Sequence, residues 1–217
     1  MVFPTIYTDN AGIVITHFET DGKIMQFTLR GITFTGHDFD LLSLVNETDY
    51  VGPGITLDQW GCLTNCTLEI SIPIRIRQFQ EEKMATLSFR LLLENGKINA
   101  YDQLSLQIDE YNRLDYPDKN PDFLMEGILP FLKRDLPENV MLLCCFDCAF
   151  AHYSPGGNSA FGGMSCYKNV KTQVLQITNK SDFMALQDLY REKINLTQET
   201  WYCKEFQPAT PDVWRYL

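Results

Sequence analysis

Residues 66–77 alternate without a break. Cys66, Leu68, Ile70, Ile72, Ile74 and Ile76 fall on one side, and Thr67, Glu69, Ser71, Pro73, Arg75 and Arg77 on the other. Side chains on a strand point in turn to its two faces, so the run predicts a strand with one buried and one wet face. Burying its five Leu and Ile side chains at about 2 kcal/mol each contributes on the order of 10 kcal/mol before chain entropy is subtracted, enough to fix the register. Pro73 has no N–H to give a ladder, which predicts an edge strand or a bulge.

The next run shifts the pattern to odd numbers: Ala85, Leu87, Phe89, Leu91 and Leu93 alternate with Met84, Thr86, Ser88 and Arg90. Glu94-Asn95-Gly96-Lys97 then predicts a hairpin, because Asn-Gly accepts positive φ at both central positions. Leu104, Leu106 and Ile108 make a third alternating run, and residues 12–18 and 23–30 read as two strands joined through Thr20-Asp21-Gly22. At least five mainly antiparallel strands follow, wet on one side, as in a sandwich or an open barrel.

Near residue 115 the pattern changes. Asp115-Tyr116-Pro117-Asp118-Lys119-Asn120-Pro121 reads as a connector, with Asn120 as N-cap and Pro121 at the first helical position. Leu124, Ile128, Phe131 and Leu132 fit a helical stripe interrupted by Gly127 and Pro130, and Leu136-Pro137-Glu138-Asn139 closes it. Val140–Phe146 is apolar enough for a buried strand, and a second helix is predicted from an N-cap at Ser181 through Phe183, Leu186, Leu189 and Tyr190. The expected fold is therefore α+β and mainly β. Residues 1–115 form an antiparallel β-rich region and 116–217 a smaller α+β region, as two units or one continuous domain.

A chain of 217 residues with 45% hydrophobic and 21% charged residues buries a real core. MVFPTIYTDN lacks the basic and apolar regions of a secretory signal, and no uncharged apolar run reaches membrane-spanning length, so a cytoplasmic location is expected. The formal net charge of −10 disfavours nucleic acid and anionic lipid as partners. Between Arg30 and Arg75 there is no Lys or Arg, while Asp38, Asp40, Glu47, Asp49, Asp58 and Glu69 fall inside. If these loops share a face, Asp38, Asp40, Glu47 and Asp49 are the candidate contacts for a basic protein; the alternative is solvated loops that keep the chain soluble.

The chain has seven cysteines, an odd number, and no export signal, which argues against a disulfide framework. Cys145-Phe146-Asp147-Cys148 is a C-x-x-C pair, with Cys166 and Cys203 further on. A tight C-x-x-C turn presents two thiolates to one Zn²⁺, and two more complete a tetrahedron. Structural zinc held by Cys145, Cys148, Cys166 and Cys203, reduced buried cysteines, and a redox dithiol all stay open, in that order. Cys62 and Cys66 read as packing residues.

Residues 149–163 hold four glycines and one proline, the signature of an irregular loop with close backbone approach. The loop lacks the Lys-Ser/Thr ending of a phosphate-binding loop, and G-x-S-x-G is absent. His152 is the imidazole nearest the thiols in sequence, and a hydrogen-bonded structural role is expected rather than a nucleophilic pair.

The runs C-F-D-C at Cys145–Cys148, H-Y-S-P-G-G at His152–Gly157, F-G-G-M-S-C-Y-K-N at Phe161–Asn169 and E-T-W-Y-C-K-E-F at Glu199–Phe206 resemble an uncharacterised bacterial family of unknown function. The resemblance covers roughly residues 120–206, with a more variable β-rich N-terminal region. The family's usual aspartate before the tyrosine stands here as His152, and its usual arginine after the third cysteine as Lys168. The resemblance implies that Cys145, Cys148, Cys166 and Cys203 act as one set; it implies no reaction.

Two function classes follow. The first, preferred, is a non-enzymatic interaction protein of the immunity type, covering a basic partner with acidic loops and exposed aromatics such as Tyr50 and Trp60. The second is a thiol- or metal-dependent enzyme, for which no paired carboxylates, H-E-x-x-H or dinucleotide loop is found. A structural β domain without a specific role is the foil.

Overall fold

A computed structural model of the chain describes residues 1–46, 51–116, 125–153 and 160–215. The strands are β1 (Val2–Asp9), β2 (Gly12–Thr20), β3 (Met25–Leu29), β4 (Ile32–Gly36), β5 (Ser43–Leu44), β6 (Thr56–Leu57), β7 (Leu63–Thr64) and β8 (Cys66–Gln78). They continue as β9 (Glu81–Glu94), β10 (Lys97–Gln107), β11 (Arg113–Tyr116), β12 (Val140–Leu142), β13 (Ala151–Tyr153), β14 (Met164–Cys166) and β15 (Asn195–Thr197). The helices are α1 (Met125–Asp135), α2 (Lys171–Val174) and α3 (Lys180–Tyr190).

The long alternating runs become β8 and β9, paired antiparallel in unbroken register from Cys66↔Leu93 to Gln78↔Glu81. The even residues 66–76 of β8 and the odd residues 85–93 of β9 are buried, as the period of two requires. Asn95 and Gly96 take φ of 53° and 70° in the turn to β10, the paired left-handed conformation that Asn-Gly was expected to supply. These strands belong to one open sheet ordered β11-β10-β9-β8-β1-β2-β3-β4-β5, with β12 also paired to β8. The sheet has two ends and does not close into a barrel.

β8 is central, not an edge. Its flank away from β9 is divided: residues 67–70 pair with β1, and residues 76–78 pair with β12. Pro73 sits in the interval between these two partners, where the missing N–H is tolerated.

The inward face of the sheet packs against α1 and the C-terminal unit, and one continuous cluster joins Phe3, Phe18, Leu68 and Leu87 of the sheet to Ile128, Leu142, Phe161 and Phe183. Phe39 stacks on Phe161 with ring centroids 4.9 Å apart, and Phe3 meets Phe161 edge-on at 6.1 Å. The C-terminal unit adds a small sheet, β13-β14-β15.

Several expectations shift. The N-cap at Asn120 lies outside the described residues, and α1 is described from Met125 with Pro130 inside it. Only Val140–Leu142 of the apolar run is strand, because a 3-10 turn begins at Cys145. The N-cap of α3 is Asn179, whose side chain accepts the Asp182 N–H at 3.0 Å, rather than Ser181. Leu189 is exposed. Among the described residues no helix is long and apolar enough to cross a membrane.

Candidate functional site

Cys145 opens a single 3-10 turn, Cys145–Asp147, just beyond β12, and Cys148 ends it. The Cys145 N–H donates to the Trp201 carbonyl at 2.7 Å and the Phe146 N–H to the Glu199 carbonyl at 2.8 Å. The turn is thereby tied to the distant segment that carries Cys203. Cys166 ends β14, opposite Ala151 of β13 and Asn195 of β15.

Cys145, Cys166 and Cys203 line one pocket of about 110 Å³, with Lys168, Trp201 and the Asp21-Gly22-Lys23 turn on its rim. Burial pushes the Cys145, Cys148 and Cys166 thiols up, and charge on neighbouring cysteines adds to it: Cys166 and Cys148 act on Cys145, Cys203 on Cys148, and both Cys148 and Cys203 on Cys166. The four thiols singled out in the sequence therefore share one neighbourhood. All seven cysteines are free, and Cys203 is the least buried of them. Among the described residues, no group of three or more His, Cys, Asp or Glu side chains stands ready to hold a metal. Cys66 packs in the hydrophobic core and Cys62 is buried near Asp58, away from this set.

His152 does not join the thiols. It is fully buried on β13, with its ring against Tyr167 at 5.4 Å, Phe183 at 4.9 Å and Trp214 at 6.1 Å. Burial first, and the charge of Arg215 second, hold its pKa down at about 3, so the ring is neutral. An aromatic enclosure of this kind is a packing role.

Residues 160–163 of the glycine-rich loop are fixed by two carboxylates, one of which, Asp38, was expected on an acidic surface. Asp38 accepts the Ala160 N–H at 2.7 Å and the Phe161 N–H at 2.9 Å, while Glu199 accepts the Gly162 N–H at 2.6 Å and the Gly163 N–H at 3.1 Å. Gly162 has φ of 80°, and a Cβ there would collide with the His37 carbonyl oxygen. Only glycine suits that position. Burial raises the Asp38 pKa to about 8, helped by the charges of Asp40 and Glu199. Asp38 is thus 3% exposed and turned inward, a correction to its expected place on an acidic surface. The reason is that one carboxylate can satisfy several buried backbone donors at once. Asp40 is half-buried beside it, and Glu47, Asp49 and Tyr50 lie outside the described residues.

Trp60 is 78% exposed at the tip of the hairpin joining β6 and β7. The hairpin is rigidly tied. The Asp58 carboxylate accepts the Trp60 N–H at 2.8 Å and the Cys62 N–H at 2.9 Å, and the Asp58 N–H donates to the Cys62 carbonyl at 2.8 Å. The Leu63 N–H donates to the Leu42 carbonyl at 2.8 Å, and Ser43 bridges Cys62, which joins the hairpin to β5. On its other side the hairpin meets the β9–β10 turn, where the Gly96 N–H donates to the Thr64 hydroxyl at 2.9 Å.

A family model described as a family of unknown function, DUF6304, matches residues 1–151. The chain belongs to that family. The matched stretch holds the whole large sheet, Cys145 and Cys148, whereas Cys166, Glu199 and Cys203 lie beyond it. No curated protein and no solved structure matches the chain.

Proposed function

We propose that this member of DUF6304 is a non-enzymatic interaction protein that engages a basic protein partner, in the manner of an immunity protein, through the end of the large sheet at β5 and the separate β6–β7 hairpin tied to it. The observation that carries the reading is the Trp60 indole, exposed on a hairpin whose backbone Asp58 holds in place. An aromatic anchor of that kind loses little conformational freedom on binding, and such residues dominate the energetics of protein interfaces. The sequence around it, from residue 31 to 74, has no Lys or Arg in a chain of net charge −10. A basic partner would be steered to this end.

Asp38 has no part in the contact, being buried; Asp40, Glu47, Asp49 and Asp58 supply the charge. Capture of a basic protein from the source cell at low ionic strength tests the reading. Trp60→Ala should weaken the captured complex by at least about tenfold, the ~1.4 kcal/mol expected of an interface anchor, with no loss of thermal stability. An affinity indifferent to both salt and Trp60→Ala would overturn it.

The second part of the proposal concerns the thiols. We infer that Cys145, Cys148, Cys166 and Cys203 take one Zn²⁺ in a structural role, supported by the three thiols of Cys145, Cys166 and Cys203 on one pocket and by Cys148 lying close enough to act electrostatically on them. Four thiolates would close the coordination shell, so the metal would stabilise the C-terminal unit without activating a water. A catalytic thiol reading fares less well, since burial raises the pKa of these thiols and no imidazole faces them.

A further inference from the structure

The outward face of the large sheet is the feature least expected of a wet surface. On β1 and β2 the outward positions are Val2, Pro4, Ile6 and Thr8, and Ile13, Ile15, His17 and Glu19; the register sets Ile6 opposite Ile15 and Thr8 opposite Ile13, with His17 and Glu19 closing the far end opposite Pro4 and Val2. Ile13 and Ile15 are 71% and 85% exposed, and Val2 and Ile6 are 49% and 37% exposed. Alternation normally places polar residues here. Instead the two strands carry an apolar ridge.

Beside the ridge a groove of about 350 Å³ crosses the same face from Ile15 on β2 to Arg113 on β11. Its floor is low because small residues line it: Ser71 on β8, Ser88 on β9 and Ser105 on β10. Ser71 and Ser88 hydroxyls lie 3.1 Å apart and satisfy each other.

The charges on this face distinguish it from the rest of the molecule. Arg75 and Arg77 pair with Glu82 at 3.3 and 2.9 Å, Arg90 pairs with Asp102 at 2.5 Å, and Arg113 pairs with Asp115 at 2.6 Å. Glu69 stands next to Arg90, and Glu19 lies 3.3 Å from His17. Four arginines thus meet five carboxylates, near balance in a chain with 18 Lys+Arg against 28 Asp+Glu. A basic partner gains no attraction here. Two copies of an acidic chain, by contrast, can approach here without the repulsion they would meet elsewhere.

We propose that this face is where two copies of the chain stack, related by a two-fold axis. A two-fold contact uses the same patch on both partners, so an apolar ridge on one copy meets the same ridge on the other, in the aligned packing of sheet on sheet. The five strands β10-β9-β8-β1-β2, about 4.8 Å apart and on average roughly 36 Å long, present on the order of 700 Å² per copy, close to the ~800 Å² of a standard interface. The outward apolar residues of β1 and β2 then have a buried destination.

Sedimentation equilibrium on the full chain at about 50 μM tests this. The expected result is a dimer that persists in high salt, because apolar burial and not charge holds it, and that becomes a monomer in the Ile13→Glu, Ile15→Glu variant with unchanged circular dichroism. A wild-type monomer, or a dimer unaffected by the double substitution, overturns the proposal. If the double variant loses its fold, Ile15→Thr supplies the reading, since it keeps strand propensity; an unweakened dimer in it counts against the proposal. Trp60→Ala leaves the dimer intact in either case, which separates this face from the partner-binding end.

Discussion

Asp38 and Glu199, from opposite ends of the chain, accept the four consecutive backbone N–H groups of residues 160–163. The loop has no ladder of its own at these positions. The two carboxylates take the place of a paired strand, satisfying buried donors that would otherwise be orphaned.

Removing either carboxylate should cost measurable stability. Asp38→Ala leaves two buried loop donors unpaired, at roughly 1–3 kcal/mol per lost partner, and Glu199→Ala two half-buried ones, at the lower end of that range. Urea unfolding should show a lower midpoint for both, with the slope unchanged. Glu205→Ala, which breaks only the exposed ion pairs to Lys168 and Lys171, should shift it little.

The raised pKa of Asp38 predicts a pH dependence. Its folded pKa of about 8 lies above the 3.8 of an ordinary aspartate, so between roughly pH 4 and 8 the folded chain holds a proton that the unfolded chain has released. Stability from this group is full below pH 4 and is lost as pH rises through 8. Thermal unfolding at pH 5.5 and 8.5 should show the wild type losing more across that interval than Asp38→Asn. An equal loss in both would count against the assignment.

Gly162 should be intolerant of any side chain. Its φ of 80° and the His37 carbonyl beneath it leave no room for a Cβ, so Gly162→Ala should destabilise by about 1–3 kcal/mol, the usual cost of an enforced left-handed residue. Gly52→Ala, with open space around it, should be mild by the same measurement.

The thiols should be silent near neutrality in metal-free protein, because burial raises the pKa of Cys145, Cys148 and Cys166. Alkylation against pH should show no ionisation of these three below pH 8. Protein purified without chelator should carry about one equivalent of zinc, lost with Ser at any of positions 145, 148, 166 or 203 and retained in Cys62→Ser. Folded wild-type protein free of metal would leave these cysteines as core residues.

How much of this was legible depends on where polarity alternates. β8 and β9 read directly, since Glu69, Arg75, Thr86 and Arg90 mark a wet face. β1 did not, because Val2, Pro4 and Ile6 on its outward side are as apolar as Phe3 and Tyr7 within, and the period of two vanishes. The β3–β4 turn was also hidden: Arg30 and Gly31 take φ of 51° and 84° without the Asn that announces such a turn. The spacing of the cysteines pointed to the pocket that Cys145, Cys166 and Cys203 line, but nothing in it pointed to the clamp. Asp38 looked like one of several surface acids, and only the folded chain brings it under Ala160. Asp-x-Asp beside a lone glycine turn gives no hint of a partner more than a hundred residues away.

The shared flank of β8 has a consequence for how the chain is inherited and cut. β1 and β12 read their positions off the same strand, at residues 67–70 and 76–78. Inserting one residue between those stretches would turn Val140 and Leu142 to the outside and Met141 to the core, because each step along a strand reverses the face. The N-terminal sheet and the C-terminal unit therefore drift together: a fragment ending at residue 116 would expose an unpaired strip of β8, a ready template for a neighbouring molecule's strand. A stop codon or a recombination point between them should yield aggregate, not a smaller protein.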